Sequence, residues 1–306
     1  MMNMYNDLDS IVHALQSESQ RLIEHSEAFY RAELDRVAAL VDNPAQRTVL
    51  AIAGPSGSGK TTTAKLLCNI LRRRGVHAEM ISLDDFYLGI SRTPFDENGK
   101  QDFESISALD LDHLHACFST LLQTGSCDLP VFDFNTGEAA AHTRRITLGN
   151  GGVAIIEGLH AINPQLVRAI GDVRLIKLFV NVDTRVLQAD GAVVFSRRDL
   201  RLMRRASRDL IYRNSPLSNT LRMWPDVVAG EEEYLFPHKS TADRIINTFH
   251  AYEPAVFRAR MLSCIAELER ASDAFGYVAR IEQGLKRIPP LGAEQVPQDS
   301  LLREFL

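Results

Sequence analysis

This 306-residue chain is poor in cysteine, has a single tryptophan and carries no long apolar run. Cys68, Cys117, Cys127 and Cys264 form neither a CxxC pair nor a disulfide framework, so a reducing cytoplasm is the expected location. No stretch approaches the roughly 20 apolar residues of a membrane span. The opening MMNMYNDLDS lacks the basic and apolar regions of a secretory signal. No membrane association is therefore expected. Positive charge does not dominate either: 34 Lys and Arg against 39 Asp and Glu leave a net charge of −5, which offers no basic field for nucleic acid. There is no 20–50-residue repeat and no low-complexity tract. The composition is that of an ordinary globular protein, long enough for one large α/β domain with appendages.

Residues 9–42 place Ile11, Leu15, Leu22, Ile23, Phe29, Leu34, Val37 and Leu40 at helical spacing, which predicts one or two amphipathic helices, closed by a break at DNPAQ, 42–46. Short apolar runs predict buried strands at 48–54, 77–85, 151–158, 173–183 and 242–248. Helices are expected over about 60–74, over 107–123 with Ser107 as N-cap, over the Arg-rich stretch 196–222 and over 254–272. Residues 128–149 alternate around the turn signal NTGE and predict a hairpin excursion. Strands alternating with helices imply a parallel sheet covered on both faces.

The segment GPSGSGKTT fits G-x-x-x-x-G-K-[ST], placed after an apolar strand and before a helix. Its glycines permit a backbone that turns successive N–H groups toward a phosphate, and the helix start adds a positive dipole end. Gly54, Ser56, Gly57, Ser58, Gly59, Lys60, Thr61 and Thr62 are thus expected to cradle a nucleoside triphosphate, with Lys60 as point charge and the Thr61 hydroxyl on Mg²⁺. There is no NKxD element for guanine and no LSGGQ-like element of a transporter ATPase. A lone carboxylate, Glu157, ends the third strand and suits Mg²⁺. In SRRDLRLMRRASRDLIYR, Arg201, Arg204, Arg205 and Arg208 recur at i, i+3, i+4 and i+7 and share a helix face, with Arg213 following. Beside a phosphate cradle, that stripe reads as a lid that neutralises a transferring phosphoryl group. Trp224 and Pro225 read as packing residues, GEEEY at 230–234 as a solvated acidic turn, and His160, after the third strand, as a residue that lines the site.

These pieces together resemble the uridine kinase and phosphoribulokinase-like group of P-loop kinases over about 46–285. The resemblance is carried by GPSGSGKTT, SLDDFY, DFESISALDLDHL, VFDFNTGE, IIEGLHAIN, LMRRASRD, the RMWP…GEE…FP…AD run and the final SLLREF, the last two as in a longer bacterial branch. It implies a P-loop NTPase-type three-layer α/β fold, with a central and mainly parallel sheet, a hairpin excursion and an Arg-rich helical lid. It divides the chain into an N-terminal helical extension (1–45), a kinase domain (46–285) and a C-terminal arm (286–306). The extension is expected to cover the core or to form a contact between copies of the chain.

By the same resemblance Asp84 is the residue that addresses the attacking hydroxyl, and Asp85 a supporting neighbour or cap. Tyr87 belongs to the acceptor pocket, Glu104 to the ribose hydroxyls, Glu157 to Mg²⁺, and Arg205, Arg208 and Arg213 to the lid. The hairpin positions that read a pyrimidine in uridine-cytidine kinases correspond to Phe132 and Gly137, which carry no hydrogen-bonding side chain. The expected activity is ATP- and Mg²⁺-dependent phosphorylation of a small-molecule hydroxyl, foremost the 5′-OH of a nucleoside. A sugar or sugar-phosphate kinase, with Arg144 and Arg145 as a second anion site, is the rival within the class. A nucleotide-binding regulatory module without turnover is the rival outside it.

Overall fold

The computed structural model describes residues 5–41, 46–95, 99, 101–133, 136–171, 173–270 and 272–306. Two helices, α1 (Leu8–Ser17) and α2 (Ser19–Ala39), precede β1 (Thr48–Ala53), α3 (Lys60–Arg73) and β2 (Ala78–Ser82). Then come α4 (Leu111–Thr124), β3 (Ser126–Leu129), β4 (Phe132–Asp133), β5 (Glu138–Ala139), β6 (Arg144–Thr147) and β7 (Val153–Glu157). They are followed by α5 (Pro164–Ile170), β8 (Arg174–Asn181), β9 (Val186–Leu187), β10 (Val193–Phe195) and α6 (Arg197–Arg213). Last are α7 (Leu217–Gly230), β11 (Arg244–Asn247), α8 (Glu253–Ala266) and α9 (Asp273–Lys286).

The central sheet has the order β11-β8-β1-β7-β2, and every neighbouring pair is parallel. β1 is buried along its whole length because it lies in the middle with layers on both faces. Its alternation sorts the core in two. Leu50 and Ile52 face α1, α2, α3 and α6, whereas Val49, Ala51 and Ala53 face α4 and α5. The excursion is a hairpin within a hairpin, β3 pairing with β6 and β4 with β5. Residues 42–45 of the break and Asn135 of the NTGE signal lie outside the described residues.

Several boundaries differ from expectation, each for a local reason. β2 stops at Ser82, and Leu83–Phe86 forms a 3₁₀ turn instead of extending the strand. Helix α4 starts at Leu111, because Asp110 rather than Ser107 caps it by accepting from the His113 N–H at 3.0 Å. The Arg-rich region is two helices, parted at Asn214, which takes the left-handed conformation at φ 48°, and at Pro216. The helix read over 254–272 ends at Ala266. A further helix, α9, then opens on the Ser272 cap and had escaped the sequence pattern.

The first and last segments pack on the sheet core. Ile11, Leu22 and Leu34 from the first two helices and Leu301, Leu302 and Phe305 from the arm are buried in the same cluster as Leu50. The Tyr30 and Thr63 hydroxyls meet at 2.8 Å, tying α2 to α3. The Ala251 N–H donates to Ser26 Oγ, and the Tyr252 hydroxyl to Glu27. Burial alone would raise the pKa of Glu27. His250, Ser300 and Tyr252 outweigh that and hold it down to about 2, against an ordinary 4.5. A carboxyl held down in the folded state contributes stability above its unfolded pKa, and that contribution is lost as pH falls through the folded value. Glu27→Gln should therefore lower the melting temperature near neutral pH. In thermal unfolding across a pH series, its gap from the unmodified protein should close between about 4.5 and about 2.

Candidate active site

The cradle sits where β1 leaves the sheet. Gly57 and Gly59 adopt φ values of 73° and 85°, a region that side chains resist, and α3 begins at the next residue, Lys60. Amides turned outward leave carbonyls turned inward, and those carbonyls need donors. Arg201 and Arg204 supply them. Arg201 Nη1 donates to Ser56 O at 3.1 Å. Arg204 Nη1 donates to Gly57 O at 3.3 Å, and the Thr248 hydroxyl to Ser58 O at 2.8 Å. Both guanidinium groups are fully buried and paired, Arg201 with Glu231 at 2.8 Å and Arg204 with Glu253 at 2.6 Å.

The arginine face is thus shared, but it divides along the helix. Its first half is a mounting for the loop, and only Arg205, Arg208 and Arg213 reach the cavity. Glu231 is a correction to the solvated acidic turn. It is buried, and it also accepts from the Ser56 N–H at 2.7 Å. Trp224 is a packing residue, with the Arg201 guanidinium 5.5 Å from its ring centre.

In front of the loop is a cavity of about 240 Å³ that brings together Ser56, Lys60, Thr61, Asp84, Glu104 and Glu157. Tyr87, Glu231 and the three arginines complete its polar wall. Glu157 ends β7 and accepts from Ser82 Oγ at 3.0 Å, with Thr61 donating as well. Burial, then the charge of Asp84, pushes Glu157 up to about 7 against the pull of Lys60 and the two hydroxyls. Asp84 opens onto the cavity and is exposed on that side, while the surrounding walls displace part of its water. Its pKa is raised by that desolvation and by Asp85, with Lys60, Arg208 and Arg213 opposing. Glu104 is raised as well, by burial first, against Arg205. Ser56 Oγ accepts from Arg205 at 2.8 Å.

The two aspartates part because they lie on a 3₁₀ turn. Asp84 enters the cavity, while Asp85 accepts from the Phe132 N–H at 3.3 Å and fixes the hairpin. The Phe132 ring stands 5.7 Å from that of Tyr87, beside the cavity. Gly137 has φ 70°, and a Cβ there would lie 2.2 Å from Ile90, so the backbone itself excludes a side chain. His160 lies behind the wall and not on it. Its Nε2 is 2.8 Å from Glu104 O, and since a carbonyl only accepts, that nitrogen carries the proton. Burial lowers this histidine to about 4, so it stays neutral and braces the Glu104 backbone.

A buried carboxylate, Glu157, whose pKa is raised in part by the neighbouring Asp84, with a threonine hydroxyl adjacent, suits a hard divalent cation. Among the described residues no group of three or more His, Cys, Asp or Glu could hold a metal on its own. A cation here would be held by Thr61 and Glu157, with oxygen atoms of substrate and water completing its shell, as Mg²⁺ prefers.

Residues 49–253 match the model of the Phosphoribulokinase / Uridine kinase family. The chain belongs to that family. Uridine kinase from Schizosaccharomyces pombe is 30% identical over 186 residues, which are 60% of this chain and 36% of that protein. Uridine kinase from Halobacterium salinarum is 28% identical over 198 residues, covering 64% of this chain and 78% of that one. The chain therefore spans about a third of the yeast relative's length. Among solved structures, it is similar to that of a possible uridine kinase from Bacillus stearothermophilus, with TM-score 0.47 and 19% identity over 71% of this chain and 98% of the other. The matched stretch holds the whole cavity wall but neither terminal segment.

Glu253, which pairs with Arg204, and Thr248, which donates to Ser58 O, had no signal of their own in the sequence, and SLLREF did not mark Glu304 as a partner of Arg208. Removing one partner of a buried ion pair typically costs about 3–5 kcal/mol, because the other charge stays buried. Arg204→Met should therefore cost about that much in denaturant unfolding. Arg208→Ala removes a partly exposed pair and should cost no more than about 1 kcal/mol.

Proposed function

We propose that this member of the phosphoribulokinase/uridine kinase family uses ATP and Mg²⁺ to phosphorylate a small-molecule hydroxyl, and that the acceptor is the 5′-OH of a nucleoside. The observation that carries the reading is the convergence of Asp84, Lys60, Thr61 and Glu157 on one polar cavity with three arginines opposite. The P-loop amides and Lys60 hold the phosphates. Thr61 and Glu157 hold Mg²⁺, which when bound neutralises charge on the donor phosphates. Asp84 takes the proton of the attacking hydroxyl as the new O–P bond forms and the bond to the leaving diphosphate breaks. A carboxylate with a raised pKa is a better base than an ordinary aspartate. Arg205, Arg208 and Arg213 meet the charge that develops on the transferring group.

The nucleoside assignment is supported by the Tyr87–Phe132 aromatic pair and by Glu104, a carboxylate able to take ribose hydroxyls. The sugar-phosphate rival would draw on Arg144 and Arg145. Arg144 instead donates to Met80 O at 3.1 Å, and Arg145 pairs with Asp128 at 3.1 Å, both outside the cavity. Phe132 offers a flat face and no hydroxyl, so discrimination among bases should be weak.

An acceptor panel of nucleosides, sugars and sugar phosphates, read by ADP formation, tests the reading. Nucleosides should turn over fastest, and pyrimidine should lead purine by less than about tenfold. Asp84→Asn should lower acceptor-dependent turnover by about 10²-fold or more while ATP binding stays within a few-fold. Unchanged turnover would overturn the role of Asp84. Asp85→Asn should lose less, since that carboxylate only holds the hairpin.

A further inference from the structure

The cavity before the P-loop, at about 240 Å³, is smaller than the roughly 300–1,000 Å³ typical of a single ligand pocket, yet donor and acceptor must both reach it. On a P-loop, the γ end of a triphosphate lies toward Lys60 and the Mg²⁺-binding hydroxyl, so the remainder of the donor has to continue elsewhere. A second cavity, of about 640 Å³, opens beside the next residue, Thr62, and shares Arg208 and Arg213 with the first. One wall is α3, another is α6, and the third is Gln298–Glu304 of the C-terminal arm, which lies outside the family-matched stretch.

We propose that this outer cavity receives the nucleoside end of the triphosphate donor, so that the arm, and not the family core, completes the donor site. This rests on the kinase reading above. The chemistry of the walls suits a base and ribose. Leu66 and Tyr212 offer apolar flanks, Asn69 carries both a donor and an acceptor for a base edge, and Lys65 adds positive charge near the phosphates. The arm is a fixed wall. Leu301, Leu302 and Phe305 are buried, and Asp299 pairs with Arg31 of α2 at 2.8 Å. Leu301 packs so closely on Gly59 that a Cβ there would lie 2.6 Å from it.

At the junction of the two cavities stands Glu304. It accepts from the Thr62 hydroxyl at 2.6 Å and from Arg208 at 3.4 Å, the two groups that a donor phosphate would engage. The carboxylate occupies an anion's place, and donor binding exchanges it for phosphate.

Calorimetric titration of the full chain with a non-hydrolysable ATP analogue and with inorganic tripolyphosphate, both with Mg²⁺, separates the nucleoside contribution from the phosphate contribution. The unmodified protein should prefer the nucleotide by about tenfold or more, in line with a modest apolar and hydrogen-bonded contact. Asn69→Ala and Tyr212→Ala, both at exposed positions, should each shrink that preference about threefold or more and leave tripolyphosphate within about twofold. Glu304→Gln should tighten both probes alike. Equal binding of the two probes to the unmodified protein, or an undiminished preference in both cavity variants, would overturn the proposal. So would parallel loss of both probes in those variants, or weaker binding to the Glu304 variant. Lys60→Ala should weaken both probes alike, by about tenfold or more. Nucleotide binding left unchanged by it would place the ligand off the P-loop and overturn the kinase reading along with this one.

Discussion

The arrangement of this protein depends on how the P-loop disposes of its carbonyl oxygens. A loop that aims N–H groups at an anion turns C=O groups the other way, into the protein, where water cannot serve them. Here guanidinium groups from α6 serve them. Arginine stays charged when buried, so each needs a carboxylate of its own, and Glu231 and Glu253 are buried to meet that need. That requirement fixes the seating of α6, the close of α7 and the start of α8. Gly230 belongs to the same constraint, because a side chain there would strike Glu104 and hold the helix end away from the loop.

The segments outside the family-matched stretch extend this mounting. Tyr30 reaches Thr63 on the first turn of α3. Ser26 takes the N–H that follows His250, and Leu301 closes on Gly59. An α3 fixed from behind by both ends of the chain presents its N-terminus with little freedom, which favours a site that relies on position and charge and has little covalent chemistry to perform.

Much of this was legible in the sequence. The five sheet strands were readable because a parallel sheet covered on both faces needs continuous apolar runs. The cradle was readable because its glycines have a conformational purpose. What escaped was set by tertiary contact. Nothing in SRRDLRLMRRASRD marks which arginines turn inward, since the periodicity gives a face but not what lies opposite it. Glu231 sits in a run of three glutamates, of which the run itself singles out none. The divergence of Asp84 and Asp85 comes from the 3₁₀ turn at Leu83–Phe86, which the apolar run extending to 85 did not reveal. The two carboxylates therefore part in position, Asp84 toward the cavity and Asp85 toward the hairpin.

The bonds behind the loop also span long stretches of chain. Ser58 meets Thr248 across 190 positions, Ser56 meets Glu231 across 175, and Thr62 meets Glu304 across 242. Contacts so distant in sequence are slow to close. A ribosome that has released the glycine-rich motif has released only a flexible anion-binding peptide. The rigid cradle exists once Arg201, Arg204, Glu231 and Thr248, all far downstream of it, have packed behind it.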